Sequence, residues 1–190
     1  IIHLAAQALV RRSYAEPLET FHTNVTGGIN LLEAVRHTPS VRSLVFITSD
    51  KCYRNMEWER GYHEDDLLGP DCIRALRAGD PVILRNPMAT RPWQHVLEPL
   101  SGYLALAARQ FSGDDAAAGA WNFGPDAENV RPVKDLAETA VGVWGTGEVR
   151  IEQDPNAPHE ATLLMLDSTK AKDGLGWYPR WDFATGITRT

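Results

Sequence analysis

The sequence predicts an α/β fold with a parallel sheet, and three observations support this prediction. Residues 1–4 (IIHL) form a short apolar run with the character of a buried strand. Residues 41–49 (VRSLVFITS) form a second one without the alternation of a half-exposed strand, so we expect both of its faces to be covered. Between them, residues 17–38 carry apolar side chains at helical spacing. This order is that of a βαβ unit with parallel strands.

The alternation of helices and strands continues to the end of the chain. We predict further helices over residues 70–79, 95–111, 133–145 and 168–176, and further strands over 81–86, 120–124, 148–153 and 161–167. Pro99 marks either a kink or the true start of its helix. Gly79 and Gly145 are expected to end the helices they follow. The sequence therefore indicates an α/β half followed by an α/β annex.

Composition excludes several function classes. The chain has 190 residues, 43% of them hydrophobic and 23% charged, which is typical of one globular domain with a small subdomain. Its net charge of -6 is dispersed, and nucleic-acid binders present a basic face, so we expect no nucleic-acid partner. No apolar run approaches the roughly 20 residues of a membrane span. We therefore expect a soluble protein without a membrane partner.

The cysteines indicate a cellular compartment, and the first residues suggest that the chain is a fragment. Cys52 and Cys72 are too few and too unpatterned for a disulfide framework or a zinc site, so we predict a cytoplasmic protein without a bound metal. The chain starts without Met, directly in an apolar run. We expect it to be a fragment or to have lost its first elements.

Polar side chains follow both strands of the predicted βαβ unit. The segment AAQ follows the first strand, and TSDKCY, residues 48–53, follows the second. Ligands of open α/β sheets bind beyond the carboxyl ends of the strands, so we expect the two segments to lie close together. Ser49 and Asp50 could equally cap a turn. The residue pattern alone leaves an active site and a strand cap both open.

Three other candidates also have a structural interpretation. His3 lies inside an apolar strand without metal-ligand spacing, which favours a hydrogen-bonded core histidine. Arg91 either stacks on Trp93 or captures a phosphate with its planar guanidinium group. His159, after two prolines, belongs either to a surface loop or to the rim of a ligand site.

Several segments together resemble one family. They are HLAAQALVRRSY, TNVTGGINLLEAVR, VFITSDKCY, NPMATRPWQHVLEPLSGY, WNFGP and PHEATLLMLDSTKAKDGLGWYPRWDF. Together they closely resemble CDP-glucose 4,6-dehydratases of the extended short-chain dehydrogenase/reductase superfamily. Related dTDP-glucose and GDP-mannose dehydratases carry Glu where this chain has Lys51. The resemblance implies a partial Rossmann-type sheet and a small α/β substrate-binding subdomain. Residues 1–69 would be the dinucleotide-binding part, and residues 70–190 mainly the substrate-binding part with interleaved Rossmann elements.

The resemblance also implies a reaction used in deoxysugar and O-antigen synthesis. In the family, NAD takes a hydride from C4 of the sugar, water leaves across C5 and C6, and the hydride returns to C6. The implied catalytic residues are Ser49 at the C4 oxygen, Asp50 as the acid for the C6 hydroxyl and Lys51 as the counterpart of the C5 base. The implied binding residues are Ala5, Ala6 and Asn24 along NAD, Arg91 at the diphosphate of CDP-glucose and His159 near the nucleotide. An elimination needs such an acid and base close together.

Two motifs of the family are absent from this sequence. None of the 15 glycines has the GxxGxxG spacing that lets the backbone approach the NAD diphosphate. None of the five tyrosines is followed four residues later by Lys, so the YxxxK pair that provides the base for C4 oxidation is missing. We interpret the region near Gly69 and Pro70 as the join of an internal deletion. We therefore predict little or no dehydratase activity. The resemblance implies NAD as the cofactor, but the sequence lacks the glycine-rich loop that would hold its diphosphate.

Two kinds of protein fit this pattern. One is a partial version of a working CDP-glucose dehydratase, or of another nucleotide-sugar dehydratase or epimerase. The other is a non-catalytic remnant that binds a sugar nucleotide or a subunit. Family members form homodimers through the helix after HLAA and the helix that bears YxxxK. Because the second helix is missing, we expect the face with Leu31, Leu32 and Val35 to be exposed and the dimer to be compromised.

Overall fold

A computed structural model describes the chain in two compact units. The described residues are 1–7, 10–48, 69–152 and 165–190. Unit 1 comprises Ile1–Met56 and Tyr103–Ala120, and unit 2 comprises Glu57–Gly102 and Trp121–Thr190. The predicted domain boundary at residue 69 stays a prediction, because residues 49–68 lie outside the described part of the chain.

Unit 1 begins with the predicted βαβ order. Strands β1 (Ile2–His3) and β2 (Val45–Phe46) pair in parallel, with Ile2 opposite Val45. Between them lie α1 (Val10–Ala15), α2 (Pro17–Phe21), a π-helical turn (His22–Thr26) and α3 (Gly27–Arg36). The predicted α/β class with parallel strands is confirmed, and so is a helix over most of residues 17–38.

Gly28 lets α3 approach β2 closely. The residue is buried, and a Cβ atom at this position would lie 3.1 Å from the ring of Phe46. Glycine costs about 1 kcal/mol relative to alanine in a helix interior, so the adjacent Gly27 and Gly28 weaken this helix locally. The contact with Phe46 gives the second glycine a packing role that offsets this cost.

The second segment of unit 1 is the end of α5 (Leu97–Phe111) and a 3₁₀ turn (Asp115–Ala117). The Ser43 hydroxyl donates to Oε1 of Gln110 over 2.9 Å. The Arg42 guanidinium lies 4.7 Å from the centre of the Phe111 ring. These contacts hold the segment before β2 against the C-terminal turns of α5.

Unit 2 has a core between two helices and a parallel strand pair. Helices α4 (Gly69–Ala78) and α6 (Val133–Trp144) pack together beside β3 (Val82–Leu84) and β6 (Val149–Ile151), which are parallel. The buried residues of this core are Cys72, Leu76, Val82, Leu84, Ala89, Val133 and Ala137. Both strands and both helices were predicted from apolar spacing, and the structure confirms them.

Local stop signals set the helix ends. Gly145 follows α6 with φ of +87°, and Gly79 follows α4 with φ of +76°. This left-handed backbone costs glycine little and other residues more, so the predicted ends are confirmed. Pro99 is the third residue of α5 and therefore marks the start of that helix. None of the described helices is long and apolar enough to cross a membrane.

Four elements of unit 2 were not predicted from the sequence: two strands, a 3₁₀ turn and the last helix. Strands β4 (Thr90–Pro92) and β5 (Val130–Pro132) form an antiparallel ribbon with Arg91 opposite Arg131. A 3₁₀ turn (Ala127–Asn129) precedes β5. Helix α7 (Thr169–Leu175) was predicted, whereas the last helix, α8 (Phe183–Arg189), was not.

The predicted strand over residues 120–124 is wrong. The described contacts of its backbone include side chains: the Gln94 side-chain amide donates to the Phe123 carbonyl, and the Gly124 N–H donates to the Ser168 hydroxyl. The Phe123 ring packs edge-on against Trp177 at 5.1 Å. The strand predicted over residues 161–167 lies partly outside the described residues, and residues 165–168 form no strand.

Candidate functional site

The strand ends of unit 1 lie at one edge, as predicted. Because β1 and β2 are parallel and adjacent, the chain leaves both at the same edge, and the Ile47 N–H donates to the His3 carbonyl over 3.0 Å. Ala5 and Ala6 follow β1 and are exposed, while Thr48 follows β2. Ser49, Asp50 and Lys51 lie outside the described residues, as does His159. Their predicted roles stay predictions.

Asn24 holds the loop that carries Ala5 and Ala6. Its Oδ1 accepts the Gln7 backbone N–H over 2.7 Å, and its Nδ2 donates to the Gln7 carbonyl over 3.0 Å. The side chain thus pairs with both backbone groups of one residue, as a neighbouring strand would. The predicted NAD-side residues Ala5, Ala6 and Asn24 are therefore brought together, with Asn24 bonded to the loop.

Gln7, the last residue of AAQ, and Thr20 complete this arrangement. The Gln7 side chain donates to the Thr20 hydroxyl over 2.9 Å, and that hydroxyl donates to the Glu16 carbonyl. Asn24 lies in the π-helical turn, a rare element that often marks functional sites. A polar residue directly after a strand, as in AAQ, is the sequence signal that could have identified Gln7 as the residue that Asn24 and Thr20 bind.

His3 packs in unit 1 against a neighbouring ring, but its ring has no hydrogen bond to the described residues, so the predicted hydrogen-bonded core histidine is shown only in its packing. Its ring lies 4.5 Å from the ring of Phe46 on the paired strand, and the residue is half-buried. Phe46 also meets Gly28 of α3. The contacts of His3 are therefore those of a packing residue.

Arg91 lies in the β4–β5 ribbon of unit 2. It is half-buried, and its Nη1 donates to the Thr90 carbonyl over 2.9 Å. Arg131 lies opposite it in the register, but that guanidinium is directed to Asp135, at 3.9 Å, and to the ring of Phe183, at 5.5 Å. The two cations of the ribbon thus have different surroundings.

Trp93 fixes the end of the ribbon. Its indole N–H donates to the Arg131 carbonyl over 2.9 Å, and its ring packs on the core of unit 2. Gln94, the next residue, was not predicted as a site residue. Its Nε2 donates to the Phe123 carbonyl, while its Oε1 is buried and has no hydrogen-bond partner among the described residues. Gln94 therefore offers an acceptor three residues from Arg91.

Ion pairs and hydrogen bonds also set the charges beside α7. The hydrogen bond from Nζ of Lys172 to Asp126 raises the pKa of that lysine. The backbone and side-chain hydrogen bonds from Thr169 lower the pKa of Asp167. Both sets tie the first turn of α7 to its neighbours. The described residues contain no cluster of three or more side chains suited to a metal ion.

Known proteins share both the sequence and the fold. The family described as GDP-mannose 4,6 dehydratase matches residues 1–73. A CDP-glucose 4,6-dehydratase of Salmonella typhimurium is 35% identical, and the alignment covers 100% of this chain and 67% of that protein. The alignment is 246 positions long, 56 more than the 190 residues of this chain, so the relative has at least that many residues with no counterpart here.

Solved structures of low sequence identity have the same fold. An epimerase from Methanothermobacter thermautotrophicus superposes with a TM-score of 0.80 at 18% identity, over 100% of this chain and 69% of that one. A dTDP-glucose 4,6-dehydratase from Bacillus anthracis in complex with NAD gives 0.73 at 16% identity, over 100% and 70%. These Rossmann-type neighbours confirm the predicted fold class.

The chain belongs to the family of nucleotide-sugar 4,6-dehydratases that includes CDP-glucose 4,6-dehydratase, within the epimerase/dehydratase superfamily. The sequence resemblance to this family is thus confirmed.

Proposed function

We propose that this chain is part of a CDP-glucose 4,6-dehydratase and that the 190 residues bind CDP-glucose without turning it over. The observation that carries the proposal is the 35% identity to a CDP-glucose 4,6-dehydratase along the whole chain. Lys51 in TSDKCY, where other dehydratases of the superfamily carry Glu, supports the choice of this substrate. The few, unpatterned cysteines support a cytoplasmic location.

Arg91 is the proposed diphosphate ligand. A guanidinium group can donate two parallel hydrogen bonds to phosphate oxygens, which a lysine cannot match. The residue is half-buried, and electrostatic attraction is stronger where water is partly excluded. Its strand is held by a ribbon partner and by the Trp93 indole, so the guanidinium starts from an anchored backbone.

The proposed chemical roles belong to residues after β2. In a complete dehydratase, Ser49 would donate a hydrogen bond to the C4 oxygen, Asp50 would give a proton to the departing C6 hydroxyl, and Lys51 would take the proton from C5. The strand order supports this placement, because Thr48 is at the same edge as Ala5 and Ala6. His159 is proposed to contact the nucleotide.

The residues present fit part of an NAD-type cofactor, at the end of β1. Ala5 and Ala6 are exposed and small, so a flat ring could lie against the end of β1, and Asn24 would act by holding their loop. NAD, when bound, accepts and returns the hydride. The sequence has no GxxGxxG cradle for the cofactor diphosphate and no YxxxK tyrosine. We therefore assign no C4 oxidation to these 190 residues.

Calorimetric titration with CDP-glucose tests the binding proposal. We expect saturable binding, and Arg91→Ala should weaken it by about 10- to 100-fold, since a charge-assisted pair contributes about 1.5–3 kcal/mol. Arg150→Ala is the matched control, because this exposed arginine on β6 pairs with Glu148 outside the ribbon. Equal affinity of both variants would contradict the role of Arg91.

A turnover assay separates an enzyme from a binding protein. CDP-glucose and NAD are incubated with the 190-residue chain, and loss of water from the sugar is followed by mass spectrometry. We expect no product. Product formation would refute the predicted inactivity, and equal binding of UDP-glucose or dTDP-glucose would favour another nucleotide-sugar dehydratase or epimerase.

Exposed apolar side chains favour subunit interaction as a second candidate function. Six of them, spaced three or four residues apart from α1 to α3, are between 49% and 84% exposed: Tyr14, Leu18, Phe21, Val25, Ile29 and Leu32. From Leu18 to Leu32 this spacing places the side chains along one helical face, and Tyr14 lies just before it in α1. We call the six residues the apolar stripe. The expected exposed face is corrected accordingly, since Leu31 and Val35 are half-buried and only Leu32 is on the stripe.

A further inference from the structure

The segment 177–182 crosses unit 2 without secondary structure and is fastened at both ends. At its start, the Trp177 indole N–H donates to the Ser101 hydroxyl over 2.8 Å. After its end, the Phe183 N–H donates to Oδ1 of Asn129 over 3.0 Å. We call this segment the C-terminal strap. Its two ends are therefore fixed to α5 and to the turn before β5.

Glu98 holds the middle of the strap. Its Oε2 accepts the Arg180 N–H over 3.0 Å, and its Oε1 accepts the Trp181 N–H over 3.1 Å. The residue is 5% exposed, and hydrogen bonds to a buried carboxylate are stronger than those between neutral groups. Glu98 lies in the first turn of α5, where the helix dipole also favours negative charge. Both oxygens of this carboxylate therefore bind the strap.

The strap and the first residue of α8 contact residues in and beside the ribbon that carries Arg91. The Trp181 ring lies edge-on to His95 at 4.8 Å, and the Phe183 ring receives the guanidinium of Arg131, the residue opposite Arg91. Asn129 binds both sides, because its carbonyl accepts the Trp93 N–H while its side chain accepts that of Phe183. Asn129 thus joins the end of the ribbon to the residue that follows the strap.

A ribbon of this size needs support from outside. Strands β4 and β5 have three residues each, and two isolated strands are marginally stable in water. Phe183, directly after the strap, provides contacts on the side of β5, and Trp93 provides contacts to the core. Loosening the strap would therefore leave Arg91 on a less ordered strand.

We propose that Glu98 is a positioning residue for Arg91: by holding the strap through two backbone amides, it keeps the β4–β5 ribbon ordered and the guanidinium in place for a diphosphate. The consequence for affinity rests on the proposed function of Arg91. The consequence for the order of the ribbon does not depend on any ligand.

Hydrogen exchange of the ligand-free protein tests whether Glu98 keeps the ribbon ordered. The variant is Glu98→Gln, which keeps the shape of the side chain but replaces one acceptor by a donor that faces a backbone N–H. We expect about tenfold faster exchange at residues 178–182 and also at 89–93, with α3 unchanged. Ser168→Ala is the matched control, since it removes another buried polar contact of unit 2, the one with the Gly124 N–H.

Faster exchange in the strap without a change at 89–93 would overturn the proposal, and so would unchanged exchange in both segments. The same change in Ser168→Ala would also overturn it, because the effect would then be general loosening of unit 2. A wild-type chain that does not bind CDP-glucose would refute the proposed function, while the exchange experiment would still decide the role of Glu98.

A double-mutant cycle tests the coupling to binding. Glu98→Gln should weaken CDP-glucose binding about tenfold in the wild-type background and have almost no effect in an Arg91→Lys background, since residues acting through one another are not additive. Equal losses in both backgrounds would show that Glu98 acts independently of Arg91 and would overturn the proposal.

Discussion

The long helical segment of unit 1 turns large apolar side chains outward, whereas the helices of unit 2 bury theirs against a strand pair. In unit 1 the apolar stripe is about half-exposed or more, and Leu18 reaches 77%. In unit 2 Val82 and Leu84 have no exposed surface. The two units thus contribute differently to the free energy of unfolding, because burial of apolar surface is the main favourable term in folding.

The difference in burial between the two units bears on the proposed binding sites. The proposed diphosphate ligand Arg91 lies in the unit with the closed core, and the proposed NAD-side residues lie in the unit with the exposed stripe. We infer that the proposed substrate-binding part can stay ordered while the proposed cofactor part depends on further contacts. The predictions that follow test this contrast.

The largest effect is expected for a core deletion in unit 2. Leu84→Ala should lower the free energy of unfolding by about 2–5 kcal/mol, because it removes buried methyl groups and leaves a cavity. Leu18→Ala, which removes the same atoms from an exposed site of unit 1, should change it by less than about 0.5 kcal/mol. Urea titration followed by circular dichroism measures both. Similar losses would contradict the contrast between the units.

A glycine pair tests how tightly α5 is packed in unit 2. A Cβ atom on Gly102 would lie 2.2 Å from the Phe123 ring, so Gly102→Ala should destabilise by about 1–3 kcal/mol despite the better helix propensity of alanine. In α6, a Cβ atom on Gly142 would meet nothing within 4 Å, so Gly142→Ala should stabilise by about 0.5–1 kcal/mol. Thermal melts give the sign of each change. Two changes of the same sign would refute this packing difference.

The apolar stripe should make the chain associate with itself. Phe21 lies near its middle and is 65% exposed, so Phe21→Glu should raise the concentration needed for association about tenfold by adding a charge to that surface. Asn30→Glu, an exposed polar position on α3, is the control and should have little effect. Light scattering over a concentration series measures the association. A wild-type chain that is monodisperse and monomeric would contradict the prediction.

Local signals explain which parts of the fold the sequence predicted. Pro99, Gly79 and Gly145 act through their own backbone, so the helix ends could be identified without knowledge of distant residues. The β4–β5 ribbon could not, because it joins residues about 40 positions apart and each strand contains a proline. Its short strands also lack the apolar alternation on which a strand prediction depends.

The candidate site divides in the same way. The common edge of AAQ and Thr48 follows from parallel strands alone, and the structure confirms it. The bond between Asn24 and Gln7 links residues 17 positions apart, and the fastening of the strap by Glu98 spans more than 80. No spacing rule in the sequence connects such pairs. Their roles became visible only when distances between side chains and backbone groups were known.

The smallest effect is expected from the cap of α8 at the end of the strap. Oδ1 of Asp182 accepts the Thr185 N–H over 2.8 Å, and the side-chain and backbone hydrogen bonds from Thr185 lower the pKa of Asp182 below its ordinary 3.8. A lowered pKa in the folded state means that the ionised cap stabilises the protein above about pH 4 and that this contribution is lost as the pH falls further. Asp182→Asn keeps an acceptor but no charge, so the difference in melting temperature between wild type and variant should be small at pH 7 and shrink below pH 4. Melting curves from pH 7 to pH 3 measure it. A difference that grows on acidification would mean that the carboxylate is not stabilised in the folded chain.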